Sequence, residues 1–201
     1  MVTRAWRLLP LAVLGEGALA VAGGIWLYVG GHAVRLGLTL IAVAAGVGVA
    51  LLLAVAQWWL QRWAPAIGPV RALRELQRTV FQPLFAGLSV AEMIAISALA
   101  GIGEEIFFRG AVQATFGWPI ATLAFGVCHL GMTRRSWVLG AWAALSGAVL
   151  AALAIATDGL LAPIVAHAGY DLAALVWLRR EAGAAGVPAP SRTWRAGSGR
   201  A

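Results

Sequence analysis

Residues Ser89–Phe116 read SVAEMIAISALAGIGEEIFFRGAVQATF, and the reading of this stretch decides the fold. It is long enough to cross a bilayer core of ~30 Å, which takes about 20 mostly apolar residues in a helix. Yet it carries Glu92, Glu104, Glu105 and Arg109. A charge at bilayer depth costs roughly 2.5–3.5 kcal/mol on insertion scales, so it is expected to have a partner and a task. Glu105 and Arg109 are four apart and can pair on one helix face. Glu104 lies about 100° around an α-helix from Glu105, with no cation four residues on, so its partner must come from another helix.

Working outward, Gly117-Trp118-Pro119 is a breaker, followed by the shorter apolar run Trp118–Leu130 with His129 near its end. The runs Ser136–Thr157 and Leu160–Leu178 follow, separated by the turn signal Asp158-Gly159, and the last run carries His167 and Asp171. Upstream, Leu8–Val29, interrupted by Glu16, and Leu36–Leu60 also qualify as spans. This predicts an all-α, polytopic membrane bundle of about six transmembrane helices. Between the second and third spans, Pro65–Pro83 places Arg71, Arg74 and Arg78 at helical spacing among apolar residues, the pattern of an interfacial amphipathic helix.

Composition agrees. Of 201 residues, 61% are hydrophobic and only 11% charged, with 25 glycines besides, where a soluble domain has about 25% charged residues. Mean hydropathy is +0.85. A soluble enzyme, a disordered chain and a disulfide scaffold are excluded; Cys128 is the single cysteine and is read as a small core residue. The net charge of +7 rests on 15 basic residues, all arginine. With the N-terminus in the cytoplasm, thirteen of them fall on cytoplasmic segments, Arg35 alone lies in an outer loop, and Arg109 lies within a span. That split follows the positive-inside rule and assigns the basic charge to orientation, not to nucleic acid. Both termini are expected in the cytoplasm of a multi-pass plasma-membrane protein, with an uncleaved first span. Three regions follow: 1–64, two N-terminal spans; 65–178, the core; and 179–201, a disordered tail rich in Arg, Gly and Pro, with the loss of periodicity beginning at Glu181.

Depth singles out four residues. Glu104 lies 13 residues before Gly117 and His129 lies 12 after it, so each stands ~18–20 Å from that turn if the two helices are antiparallel. His167 and Asp171 lie 9 and 13 residues past Asp158, hence ~13–20 Å deep from the same side. Four ionisable groups from three helices thus share one layer, among small residues that let helices approach. A carboxylate away from water can act as a general base, and facing histidines can orient water and donate to developing charge.

Three motifs in order, Glu104-Glu105-Ile106-Phe107-Phe108-Arg109, Phe125-Gly126-Val127-Cys128-His129 and His167-Ala168-Gly169-Tyr170-Asp171, resemble the CPBP (CAAX protease and bacteriocin-processing, Abi) family of Rce1-like intramembrane glutamic endopeptidases. The resemblance covers roughly residues 65–178. It implies an endopeptidase acting on a membrane-embedded or membrane-associated peptide, with no cofactor and no metal. Glu104 and His129 would activate a water, His167 and Asp171 would stabilise the oxyanion, and Glu105, Arg109 and Phe125 would support the site. One departure stands out: prenyl-protein proteases carry Asn at the position of Asp171. Either Asp171 is protonated and donates, or it is ionised and keeps His167 cationic, so that His167 donates.

Other readings compete. Glu104, His129 and His167 make a Glu plus two His set, known in catalytic zinc sites. Ser146 with His167 would form a serine mechanism, although it ignores Glu104. A non-catalytic scaffold or immunity protein would use the charges as packing pairs. Glu16 and Glu92 lie outside the motifs and are read as structural. Trp58, Trp59, Trp63, Trp118 and Trp137 fall near span ends and read as an interfacial belt.

Overall fold

The computed structural model describes residues 8–131 and 136–184. The expectations for Arg4, Arg7, Arg134, Arg135 and the arginines after 184 lie outside the described residues. Within them every regular element is helical: α1 Leu8–Val29, α2 Leu40–Trp63, α3 Gly68–Phe85, α4 Val90–Phe116, α5 Trp118–Cys128, α6 Trp137–Ala156 and α7 Leu161–Ala184. This is the expected all-α membrane bundle.

Helices α1, α2, α6 and α7 are long and apolar enough to cross a bilayer, and the bent pair α3–α4 supplies a fifth candidate. The run expected as the fourth span is α5, which has 11 residues and so covers only about 16 Å at 1.5 Å per residue. His129 therefore caps the C-terminus of a half-span, where a residue inside a full span was expected. Two other boundaries shift. α2 begins at Leu40, not Leu36: the carbonyls of Arg35 and Leu36 accept from the free N–H groups of Leu160 and Leu161 at the start of α7, and Thr39 then caps α2 by accepting from Ala42 N–H at 3.0 Å. α7 continues to Ala184, past the expected loss of structure at Glu181, where Gln82 of α3 donates to Glu181 at 3.3 Å.

The amphipathic helix is present. Val70, Leu73 and Leu76 are buried while Arg71, Arg74 and Arg78 are exposed. α3 meets α4 at 116°, so it lies across one end of the bundle. The sharp start of α4 has a local cause: Ser89 and Glu92 form a capping box, with Glu92 accepting from Ser89 N–H at 2.7 Å. The structural role expected for Glu92 is thus a helix cap. Leu8 and Phe85 pack with Leu88, Met93 and Leu175, so the start of α1 and the end of α7 share the end covered by α3. At the opposite end Gly117 turns α4 into α5 with φ +82°, a conformation suited to glycine, and Arg35 pairs with Asp158 at 2.5 Å.

Small residues set the helix spacing. A Cβ on Gly101 would stand 2.9 Å from Ile164 O on α7, and one on Gly126 would stand 2.9 Å from Gly140 O on α6. Such contacts bring backbones together where lipid supplies no hydrophobic drive. The tryptophans expected at span ends, Trp58, Trp59, Trp63, Trp118 and Trp137, are all about half exposed or more.

Candidate active site

The core of the site is built on α4. Its segment Glu105–Val112 is π-helical, with i→i+5 bonding that turns the chain less per residue than the α-helix's ~100°. Glu104 and Glu105 approach His167 from different sides, and the neighbours of Glu104 come from other helices, as its place on the helix predicts. Glu105 Oε1 lies 2.8 Å from His167 Nδ1, and Glu104 Oε2 lies 3.8 Å from His167 Nε2. The two acids flank opposite nitrogens of one ring.

Glu105 and Arg109 do pair, at 2.9 Å, with both side chains fully enclosed. Arg109 also donates to Gly147 O on α6 at 3.2 Å, and its guanidinium stacks 4.2 Å over the Phe125 ring. The pair is thus more than internal neutralisation within one helix. It ties α4 to α6 and holds His167 of α7 through Nδ1–H, leaving Nε2 to face Glu104 and Asp171. Asp171 Oδ2 is 3.6 Å from that nitrogen.

His129 enters from the end of α5. Its Nδ1 donates to Phe125 O at 2.8 Å, which leaves Nε2 as the acceptor nitrogen, 3.9 Å from Glu104 Oε2. The Phe125 ring packs on both histidines, with centroids 4.5 and 5.8 Å away. All seven expected residues, Glu104, Glu105, Arg109, Phe125, His129, His167 and Asp171, therefore meet in one place. Glu104 Oε2 is buried and accepts no hydrogen bond within the protein.

A cavity of about 350 Å³ runs from His129, His167 and Asp171 to Gln77, Phe81 and Phe85 of α3. Its walls are mostly aliphatic and aromatic, so they suit an extended apolar segment. A polar chain missed in the sequence crosses the same region: Trp142 Nε1–H donates to Tyr170 OH at 2.6 Å, and Tyr170 OH donates to Gln57. It joins α6, α7 and α2 one residue from Asp171. An amide in an otherwise apolar run was the signal for Gln57.

The competing residues are placed as follows. Ser146 Oγ donates back to Trp142 O at 3.0 Å and Ala143 O at 3.1 Å, the ordinary bonding of a hydroxyl inside a helix. Cys128 is exposed on α5, which corrects its expected place in the core: position 128 faces outward while Phe125 and Gly126 face the bundle. Among the described residues no group of three or more His, Cys, Asp or Glu is arranged to hold a metal ion.

Residues 86–173 match the model of a protein family, Type II CAAX prenyl endopeptidase Rce1-like. The match covers less than half of the chain but contains all seven residues above. Over this segment the chain is similar to that family of membrane proteases. No curated protein and no solved structure gives a significant match.

Proposed function

We propose that the protein is an intramembrane endopeptidase that hydrolyses a peptide bond of a membrane-associated protein with a water activated by Glu104 and His129. The observation that carries this reading is the convergence of Glu104 Oε2 on His129 Nε2 at 3.9 Å and on His167 Nε2 at 3.8 Å, beside a cavity large enough for a peptide segment. A nucleophilic water needs two acceptors for its two hydrogens. Glu104 Oε2 and His129 Nε2 are such a pair, and a water lying off the line between them reaches both at ordinary hydrogen-bond length.

In the first step the water oxygen bonds to the substrate carbonyl carbon, and its proton passes to Glu104. The developing oxyanion accepts from His167 Nε2–H, with Glu105 fixing the ring through Nδ1, and Asp171 lies on the same side. In the second step protonated Glu104 gives its proton to the leaving nitrogen as the C–N bond breaks, which yields a carboxylic acid and an amine and restores Glu104. The mechanism is of the glutamic type. The substrates that suit the cavity have an apolar anchor, and the family name points to prenylated carboxyl termini of the Cys-aliphatic-aliphatic-X kind.

The test compares membrane proteomes of cells carrying wild type and Glu104→Gln at equal expression. Cleavage products that vanish with the variant support the reading and name the substrate. Identical product sets in the two would overturn it.

A further inference from the structure

Glu16 is the charged residue inside a span that this mechanism does not use, and it lies outside the segment matched by the family. It sits on the face of α1 that packs against α4. Glu16, Gly23 and Leu27 recur at i, i+7 and i+11, one stripe of an α-helix. A Cβ on Gly103 would stand 2.4 Å from Glu16 O, one on Gly23 would stand 2.9 Å from Phe107 Cα, and Leu27 Cδ1 lies 3.1 Å from the corresponding point on Gly110. The two helices therefore run parallel in contact, and Gly103 lets the backbone of Glu16 come level with the residue before Glu104. The expectation of a purely structural Glu16 does not account for its surroundings. Its Oε2 is buried and accepts no hydrogen bond within the protein, as is also true of Glu104 Oε2. Its carboxyl interacts electrostatically with Glu104, His167 and Asp171.

Four carboxyls, Glu16, Glu104, Glu105 and Asp171, thus gather around His167, His129 and Arg109. Arg109 is already committed to Glu105. Adjacent carboxylates in a poorly hydrated interior repel, and a proton held between two of them relieves that repulsion. We propose that Glu16 is a positioning residue of the same site: as a neutral carboxylic acid on α1, it donates a hydrogen bond to Glu104, directly or through one water, and so holds the Glu104 carboxylate toward the two histidines. This rests on the reading of Glu104 as the base. On this account α1 is a working part of the site.

The test has two arms. In the first, infrared spectra of purified protein in bilayers follow protonated carboxyl groups. A band lost in Glu16→Gln and shifted in Glu104→Gln is expected. No band lost in Glu16→Gln, or a band indifferent to Glu104→Gln, overturns the pairing, and this arm needs no substrate. The second arm measures the rate at which Glu104-dependent cleavage products appear in membranes. Glu16→Met keeps the length of the side chain and removes its donor. It should fold at least as stably, since it buries no polar group, yet lose about ten- to a hundredfold in rate, the scale of a misplaced catalytic group. Glu16→Gln keeps a donor and should recover most of that loss. A Glu16→Met protein as fast as wild type, alongside an inactive Glu104→Gln, overturns the role of Glu16 and leaves the proposed function standing. Absence of any Glu104-dependent product overturns the proposed function, and the infrared arm then decides the pairing alone.

Discussion

Glu105 links two parts of the site, because one oxygen accepts from both Arg109 and His167. Replacing it by Gln leaves Arg109 as an uncompensated charge in a fully enclosed position, a change that typically costs about 3–5 kcal/mol. Glu105→Gln should therefore appear as lost expression and lower thermal stability in detergent, whereas Glu104→Gln, whose carboxyl makes no close ion pair, should fold normally and fail only in catalysis. A stable Glu105→Gln protein would show that Arg109 finds its compensation elsewhere. Asp171 gives a second residue-scale prediction. It stands 3.6 Å from His167 Nε2, on the side where the oxyanion would form. If it donates, Asn supplies the same hydrogen bond, so Asp171→Asn should keep activity while Asp171→Ala loses ~10²–10³ in rate, the usual effect of removing one oxyanion donor. Rates of the two variants on one identified substrate decide it. Equal loss in both would assign Asp171 to holding His167 by charge.

At the scale of elements, two departures from regular spans shape the site. A π segment begins at Glu105 in α4, and the short α5 ends at His129, so that its ring hangs from a helix terminus. The π segment has no signal in residue order, whereas the shortness of α5 is marked by the short apolar run Trp118–Leu130. The close approach of α1 to α4 yields a paired prediction. Gly103→Ala forces a methyl against Glu16 O and should destabilise by about 1–3 kcal/mol, the range for overpacking. Gly48→Ala, in the middle of α2 with open space around it, should instead stabilise by roughly 0.5–1 kcal/mol through helix propensity. Thermal unfolding in one detergent compares the two directly. A neutral Gly103→Ala would mean that α1 is free to move away from α4.

For the whole molecule, the helix ends sort into two faces. The start of α1 and the end of α7 lie at the face covered by α3, and the turns at Gly37, Gly117 and Asp158 mark the opposite face. By the positive-inside rule, the arginine distribution predicts that the α3 face is cytoplasmic. Reporter fusions after Arg135 and after Asp158 should report opposite sides of the membrane, Arg135 cytoplasmic. The same side for both would contradict this topology. In that orientation the cavity, lined by Gln77, Phe81 and Phe85 of α3, would open toward the cytoplasmic half of the bilayer.

Composition and periodicity alone determine that this chain is a membrane bundle with an amphipathic helix, because burying apolar runs of bilayer length is a local demand on sequence. They also determine which side chains are informative: Glu104, Glu105, Arg109, His129, His167 and Asp171 stand out as ionisable groups in a medium that penalises them, and counting residues from the turns already puts Glu104, His129, His167 and Asp171 in one layer. Tertiary structure alone decides who faces whom. That Glu105 serves His167 as well as Arg109, that Gln57 meets Tyr170, and that Glu16 lies level with Glu104 depend on helix contacts at Gly101, Gly46 and Gly103. Such contacts are set by side-chain volume at the meeting point of two helices, and residues far apart in the chain supply its two sides.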